Sequence, residues 1–231
     1  MIEMIAFDAD DTLWHGEVYY QDAQIELKNI LAEWAQADTV ADRLNEIELR
    51  NLPLYGYGVK AFVLSMIETA FLVSEGQMRG ETIERILTIG RSMLEAEIMP
   101  YTLVAETLQT LSLHHSLMVI TKGDLLDQTN KIERSGLKGY FSLVEIVNDK
   151  TPDSYRRILK KYHLNPENFL MVGNSLRSDI LPILQLGGKA VHIPADTTWE
   201  HENVPDFDKS QTGFFEITEM SQLPDLVAGI L

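Results

Sequence analysis

An α/β fold built on a parallel sheet, interrupted by an all-helical insertion, is predicted by three features of the sequence. Five short apolar runs read as buried strands: Met4–Phe7, Leu117–Ile120, Leu143–Val147, Phe169–Val172 and Ala190–Ile193. Helical patterns lie between most of them, which implies βαβ units and a sheet covered on both faces. Residues 17–97 break that alternation and keep a helical period throughout.

The elements follow in order. After the first run, helical patterns cover Ile25–Trp34, Val40–Leu49, Val59–Val73 and Thr82–Leu94, with Asn51–Gly58 read as a loop because it carries Pro53, Gly56 and Gly58. Thr102–Leu111 places apolar side chains at Leu103, Val104, Leu108 and Leu111 behind Pro100, a helix start signal. Leu125–Arg134 follows the second run. Pro152–Tyr162 follows the third, with Pro152 at a plausible first helical position. Ile180–Leu186 follows the fourth and stops at Gly187-Gly188. The expected division is a core domain of residues 1–16 and 98–231 with a helical cap of residues 17–97. The crossings near His15-Gly16 and Met99-Pro100 would be its hinges.

Composition excludes several classes. A chain of 231 residues with 45% apolar content can bury a sizeable core. Its formal net charge of −16 argues against nucleic acid and anionic membrane as partners, and requires locally placed cations for any anionic substrate. The absence of cysteine removes disulfides and thiolate chemistry. No apolar stretch approaches the ~20 residues of a membrane span. The N-terminal run is short and carries Glu3, unlike a signal peptide, so a cytoplasmic location is expected.

The first apolar run stops on Asp8-Ala9-Asp10-Asp11-Thr12. Such a cluster also suits a turn or a helix N-cap. Yet three adjacent anions at a buried strand end repel one another, and a divalent cation removes the conflict. Mg²⁺ takes oxygen ligands and keeps waters that a phosphate can replace. Asp8 and Asp10 share one side of an extended chain, so one could act as nucleophile and the other as proton donor to a leaving group. Other strand ends carry polar groups too: Thr121-Lys122-Gly123-Asp124, Asn148-Asp149-Lys150-Thr151-Pro152, and Gly173-Asn174-Ser175 with Asp179 beyond. A parallel sheet gathers all of these at its carboxyl edge.

In order and placement these motifs resemble the haloacid dehalogenase-like (HAD) hydrolase superfamily, most of whose members are phosphatases. Asp8-Ala9-Asp10-Asp11-Thr12 resembles the Asp-x-Asp-x-Thr motif and Thr121 the second motif's Ser/Thr. Lys150 resembles the third motif's lysine, and residues 173–179 the Gly-Asp-Ser-x-x-x-Asp motif. The resemblance implies a Rossmann-like core with a helical cap. It also implies a Mg²⁺-dependent phosphatase acting through an aspartyl-phosphate on a small phosphorylated metabolite. Asp8 would be the nucleophile, and Asp10 the acid and base whose backbone carbonyl also binds Mg²⁺. Thr121 and the neighbouring N–H groups of Lys122 and Gly123 would hold a phosphoryl oxygen, and Lys150 would neutralise charge. The metal ligands would be Asp8, Asp10 and, where the family usually has Asp, Asn174, with Asp179 as the nearer anionic support. Lys122 stands where relatives often carry Asn and is expected to contact substrate.

The alternatives are a phosphomutase returning the phosphoryl group to a sugar, and a non-catalytic HAD-fold binding protein. A dehalogenase is disfavoured because a halide leaving group needs no acid at Asp10. A monomer or homodimer is expected. Trp14, His15 and Glu17 could line a pocket or pack a hinge. Tyr55 and Tyr57 form an aromatic loop, either a lid or a turn. Arg177 could meet a substrate anion or a surface carboxylate. Trp199, His201 and Glu202 have no assignable role from sequence.

Overall fold

The computed structural model describes residues 2–230. Six parallel strands form one sheet in the order β3-β2-β1-β4-β5-β6. They are β1 (Met4–Phe7), β2 (Ser116–Lys122), β3 (Leu143–Val147), β4 (Phe169–Gly173), β5 (Lys189–His192) and β6 (Phe214–Glu216). This is the Rossmann-like α/β arrangement, in which the strand order reverses beside the first strand and leaves a crevice at the carboxyl ends. Register fixes what borders that crevice. Phe7 pairs with Val119 on one side and Val172 on the other, so Asp8 emerges between the ends of β2 and β4. Its amide donates to Val172 O at 2.9 Å.

Side-chain alternation divides the sheet's apolar residues between two layers. Ile5, Phe7, Leu117, Val119, Leu170 and Val172 pack against α5 (Val104–Ser112) and α9 (Leu223–Ile230). Met4, Ala6, Met118, Ile120, Phe169 and Met171 pack against α7 (Pro152–Lys161) and α8 (Leu181–Leu184). Both faces are therefore covered over β1, β2, β4 and β5, which is why those strands read as apolar runs, while the edge strands β3 and β6 stay partly exposed. Between β2 and β3 runs α6 (Leu125–Arg134), whose N-terminus is capped by the Asp124 carboxylate accepting from Asp127 N.

The chain divides into two compact units. One holds the described residues up to Glu17 together with those from Ile98 onward, and the other is Val18–Glu97. The second contains α2 (Ala37–Tyr55), α3 (Val59–Val73), α4 (Gly80–Glu95) and nearly all of α1 (Glu17–Ile30) around a separate apolar core that includes Leu27, Leu44, Phe62, Met66 and Ile86. Among the described residues no helix is long and apolar enough to cross a membrane.

Three local expectations are corrected. The predicted loop at Asn51 is helix as far as Tyr55, with Pro53 inside it. Pro53 has no N–H to donate, but the Gly56 amide donates to Leu52 O across it at 2.9 Å. Asn51 is held by α3, donating to Ser65 Oγ at 3.2 Å and Glu68 Oε2 at 3.0 Å. Tertiary anchoring overrides the breaker. The segment predicted as a helix from Ile180 begins earlier, as a π-helical turn Leu176–Ile180 that leads into α8. β6 and α9 were not expected; β6 completes one edge of the sheet and α9 covers a face.

Met66 is fully buried in the helical unit. Met66→Ala is expected to destabilise that unit by about 2–5 kcal/mol, read as a lowered urea midpoint.

Candidate active site

Asp8 continues the face of β1 that carries Met4 and Ala6 and is 7% exposed. Lys150, three residues beyond β3, is 3% exposed and brings its ammonium to Asp8 Oδ1 and, at 2.7 Å, to Asp179 Oδ1. Thr151 caps α7 by accepting from Ser154 N, with Pro152 as the first helical residue, and this start fixes the backbone that carries Lys150. Asp179 lies in the π-helical turn after β4, with its other oxygen accepting from Ser175 N at 3.0 Å. Gly173 has no Cβ because one would fall inside the Asp179 carboxylate. The result is one ammonium between two buried carboxylates. Burial pushes Asp8 up, to about 7, with Asp179 and Asp10 pushing the same way and Lys150 opposing. Burial alone would lower Lys150, but Asp179 and Asp8 together outweigh it and hold it up.

Thr12 ties β1's turn to the end of β4. Its hydroxyl lies 3.1 Å from Asp8 Oδ2 and 3.2 Å from Asn174 Oδ1, and accepts from Asn174 N at 3.1 Å. A hydroxyl has one proton, so two oxygen acceptors compete for it. Together with the net negative charge of Asp8, Lys150 and Asp179, this oxygen-only locus suits a hard divalent cation. No group of three or more His, Asp or Glu among the described residues is arranged as a metal shell. A cation here would therefore rely on Asp8, the Asn174 amide, backbone carbonyl and water. Asp179, expected beside the metal, has one oxygen on Lys150 and the other on Ser175 N.

Asp10 accepts from Trp14 Nε1 at 2.8 Å, from Gln128 Nε2 at 2.8 Å, and from Lys131 Nζ at 3.0 and 3.1 Å. Burial works to raise it, but the Lys131 ammonium and these hydrogen bonds outweigh burial and hold it below the usual carboxylate range. Trp14 is fully buried in the core, so its contact is made by a fixed indole. Asp11 does not join the pair; it accepts from the amides of Gly16 and Glu17 at 2.9–3.0 Å, as a capping acid does.

Thr121 sits at the end of β2, 1% exposed. Gly123 departs from the expectation. Its amide donates to Val147 O at 3.2 Å, so in this structure that N–H serves the turn. The Lys122 ammonium, expected to meet substrate, is instead paired with Glu202 and donates to Ser178 Oγ at 2.9 Å. Glu202 is the residue that local sequence reading left without a role. It is buried, accepts from the Ser175 and Ser178 hydroxyls as well as from Lys122, and so ties the segment after β5 to the π-helical turn. Burial works to raise its carboxyl, yet Lys122 and the two serines hold it down at about 2. Arg177 donates to His201 O at 3.2 Å.

Residues 2–187 match the model of the haloacid dehalogenase-like hydrolase family, and the chain belongs to that family. It is 36% identical to a haloacid dehalogenase-like family hydrolase from Xanthomonas campestris, with a TM-score of 0.88 over 99% of this chain and 91% of that one. A 2-haloacid dehalogenase from Pseudomonas syringae pv. Tomato superposes with a TM-score of 0.66 at 24% identity over the whole of both chains, a likeness of fold. A glyceraldehyde 3-phosphate phosphatase from Pyrococcus furiosus is 30% identical over 118 residues, covering 47% of this chain and 46% of that protein. The chain thus spans about half the length of that curated relative.

Glu202 gives a pH test. Its folded pKa lies below 4.5, so its contribution is present above that pH and is lost as pH falls toward about 2. Glu202→Gln should be less stable than wild type near neutrality by about 3 kcal/mol. Urea unfolding across pH should show that gap closing on acidification.

Proposed function

We propose that the protein is a Mg²⁺-dependent phosphatase that hydrolyses a small phosphomonoester through an aspartyl-phosphate on Asp8. The observation that carries this reading is the second carboxylate, Asp10, held two residues from Asp8 at the same strand end. A halide leaves without a proton, whereas an alkoxide does not leave well without one.

Bound among Asp8, the Asp10 carbonyl and Asn174, Mg²⁺ would neutralise charge on the transferring group. The chain's own residues do the rest. An Asp8 carboxylate oxygen bonds to phosphorus as the bond to the leaving oxygen breaks. That oxygen keeps the electron pair and takes a proton from Asp10, which is ionised in the free site and receives that proton from the phosphomonoester bound as its monoanion. Asp10 then takes a proton from water as the water oxygen attacks phosphorus and the bond to Asp8 breaks, returning its electron pair to Asp8. Lys150 keeps Asp8 oriented and offsets negative charge near the phosphoryl group, and Thr121 supplies a hydroxyl for a phosphoryl oxygen. Positioning and charge stabilisation supply most of what phosphoryl transfer needs. The partial match to a glyceraldehyde 3-phosphate phosphatase supports a small sugar-like phosphate as substrate.

Phosphate release from a panel of phosphorylated metabolites, with and without Mg²⁺, tests the reading. Metal-dependent release from at least one supports it, and release of halide from a 2-haloacid with no phosphate release from any ester overturns it. Asp8→Asn should lower turnover by at least about a thousandfold, because an amide is a very poor nucleophile at phosphorus. Asn174→Asp should shift the Mg²⁺ activation curve to lower concentration by adding a charged ligand; an unchanged curve would place the metal away from residue 174.

A further inference from the structure

Asp10 ends in a clamp of three donors. Carboxyl torsions of aspartate are broad, and this one is fixed from two directions: Trp14 from the turn after β1, and Gln128 and Lys131 from α6. Gln128 and Lys131 stand three apart, on one face of the helix. Their exposures are 3% and 9%. Burying a lysine and a glutamine costs desolvation and rotamer freedom. Neither residue belongs to the strand-end motifs, and no apolar layer of the core requires them.

The backbone makes room for this contact. Gly123 has φ +137°, and a Cβ there would meet Gln128 Nε2 at 3.0 Å and Cγ at 3.3 Å. Gln128 Nε2 also donates to Lys122 O at 3.2 Å, so two acceptors set the orientation of its amide. The end of β2, which carries Thr121, is thereby joined to the acid three residues past β1 by one side chain.

We propose that Lys131 and Gln128, together with Trp14, are positioning residues that aim the Asp10 carboxyl first at the leaving-group oxygen and then at the attacking water. This rests on the phosphatase reading above. It predicts a pattern that general damage to the pocket does not produce. Nitrophenolate leaves without a proton, so a misaimed Asp10 spares formation of the aspartyl-phosphate from p-nitrophenyl phosphate and slows only its hydrolysis. An alkyl phosphate needs Asp10 in both halves.

The experiment is stopped-flow nitrophenolate release by Lys131→Met in Mg²⁺, beside steady-state turnover of an alkyl phosphomonoester. Expected is a burst of about one nitrophenolate per chain at close to the wild-type rate, then a steady state slower by about 10²–10⁴, the usual contribution of a positioned proton-transfer group. With the alkyl ester kcat should fall comparably while KM changes little. Lys131→Arg, which keeps the charge and donors, should recover part of the loss. Burst and steady state falling together, or neither changing, overturns the inference. If Lys131→Met does not fold, Gln128→Leu gives the same comparison, with a steady state slowed by about tenfold or more supporting the inference and parallel loss overturning it. A wild-type protein that releases no nitrophenolate in Mg²⁺ overturns the phosphatase reading itself, and this inference with it.

Discussion

One buried ammonium shared by two carboxylates organises this site. Lys150 has access to almost no solvent, and its charge is balanced by Asp8 from β1 and Asp179 from the turn after β4. Removing either acid would leave the lysine underpaired in a low-dielectric setting, and removing the lysine would leave two anions facing each other. Three strand ends must therefore meet in register for the arrangement to exist. The parallel sheet provides this, with β1 central between β2 and β4 and α7 starting just past β3.

Around that centre lie two further charged groupings with distinct tasks. The Asp10 clamp holds a carboxylate two residues from Asp8 on donors of its own, separate from the Lys150 pair. The Lys122–Glu202 pair, with Ser175 and Ser178, fastens a segment beyond β5 to the turn that carries Asp179. Both depend on partly desolvated ammonium–carboxylate contacts. Losing one partner leaves the other charge buried and unpaired, so each grouping fixes geometry and makes the loss of either member costly.

Much of this was legible in the sequence, because buried parallel strands read as apolar runs and the first four of them ended on polar, chemistry-bearing residues. Asp8, Asp10, Thr121, Lys150, Asn174 and Asp179 stand at those ends, where local pattern points to them. The rest was illegible for physical reasons. Glu202 lies in an aperiodic segment 80 positions from Lys122. Gln128 and Lys131 sit in a helix whose local pattern marks Ile132 as core and leaves its polar residues looking solvated. Only the tertiary crossing to Asp10 shows their task, although their spacing directly after the Thr121-Lys122-Gly123 turn was an available signal. β6 is three residues long, too short for a period. Pro53 reads as a breaker because sequence shows its missing N–H and not the anchoring of Asn51 to α3.

On the proposed reading, Asp8 is the nucleophile that takes the phosphoryl group from substrate and passes it to water. Mass spectrometry of the protein quenched in acid during turnover of a phosphomonoester tests it most directly. The account predicts one phosphoryl group per chain, carried by the peptide containing Asp8. Phosphate release with no phosphoryl group on that peptide, or with the group on another residue, would contradict it.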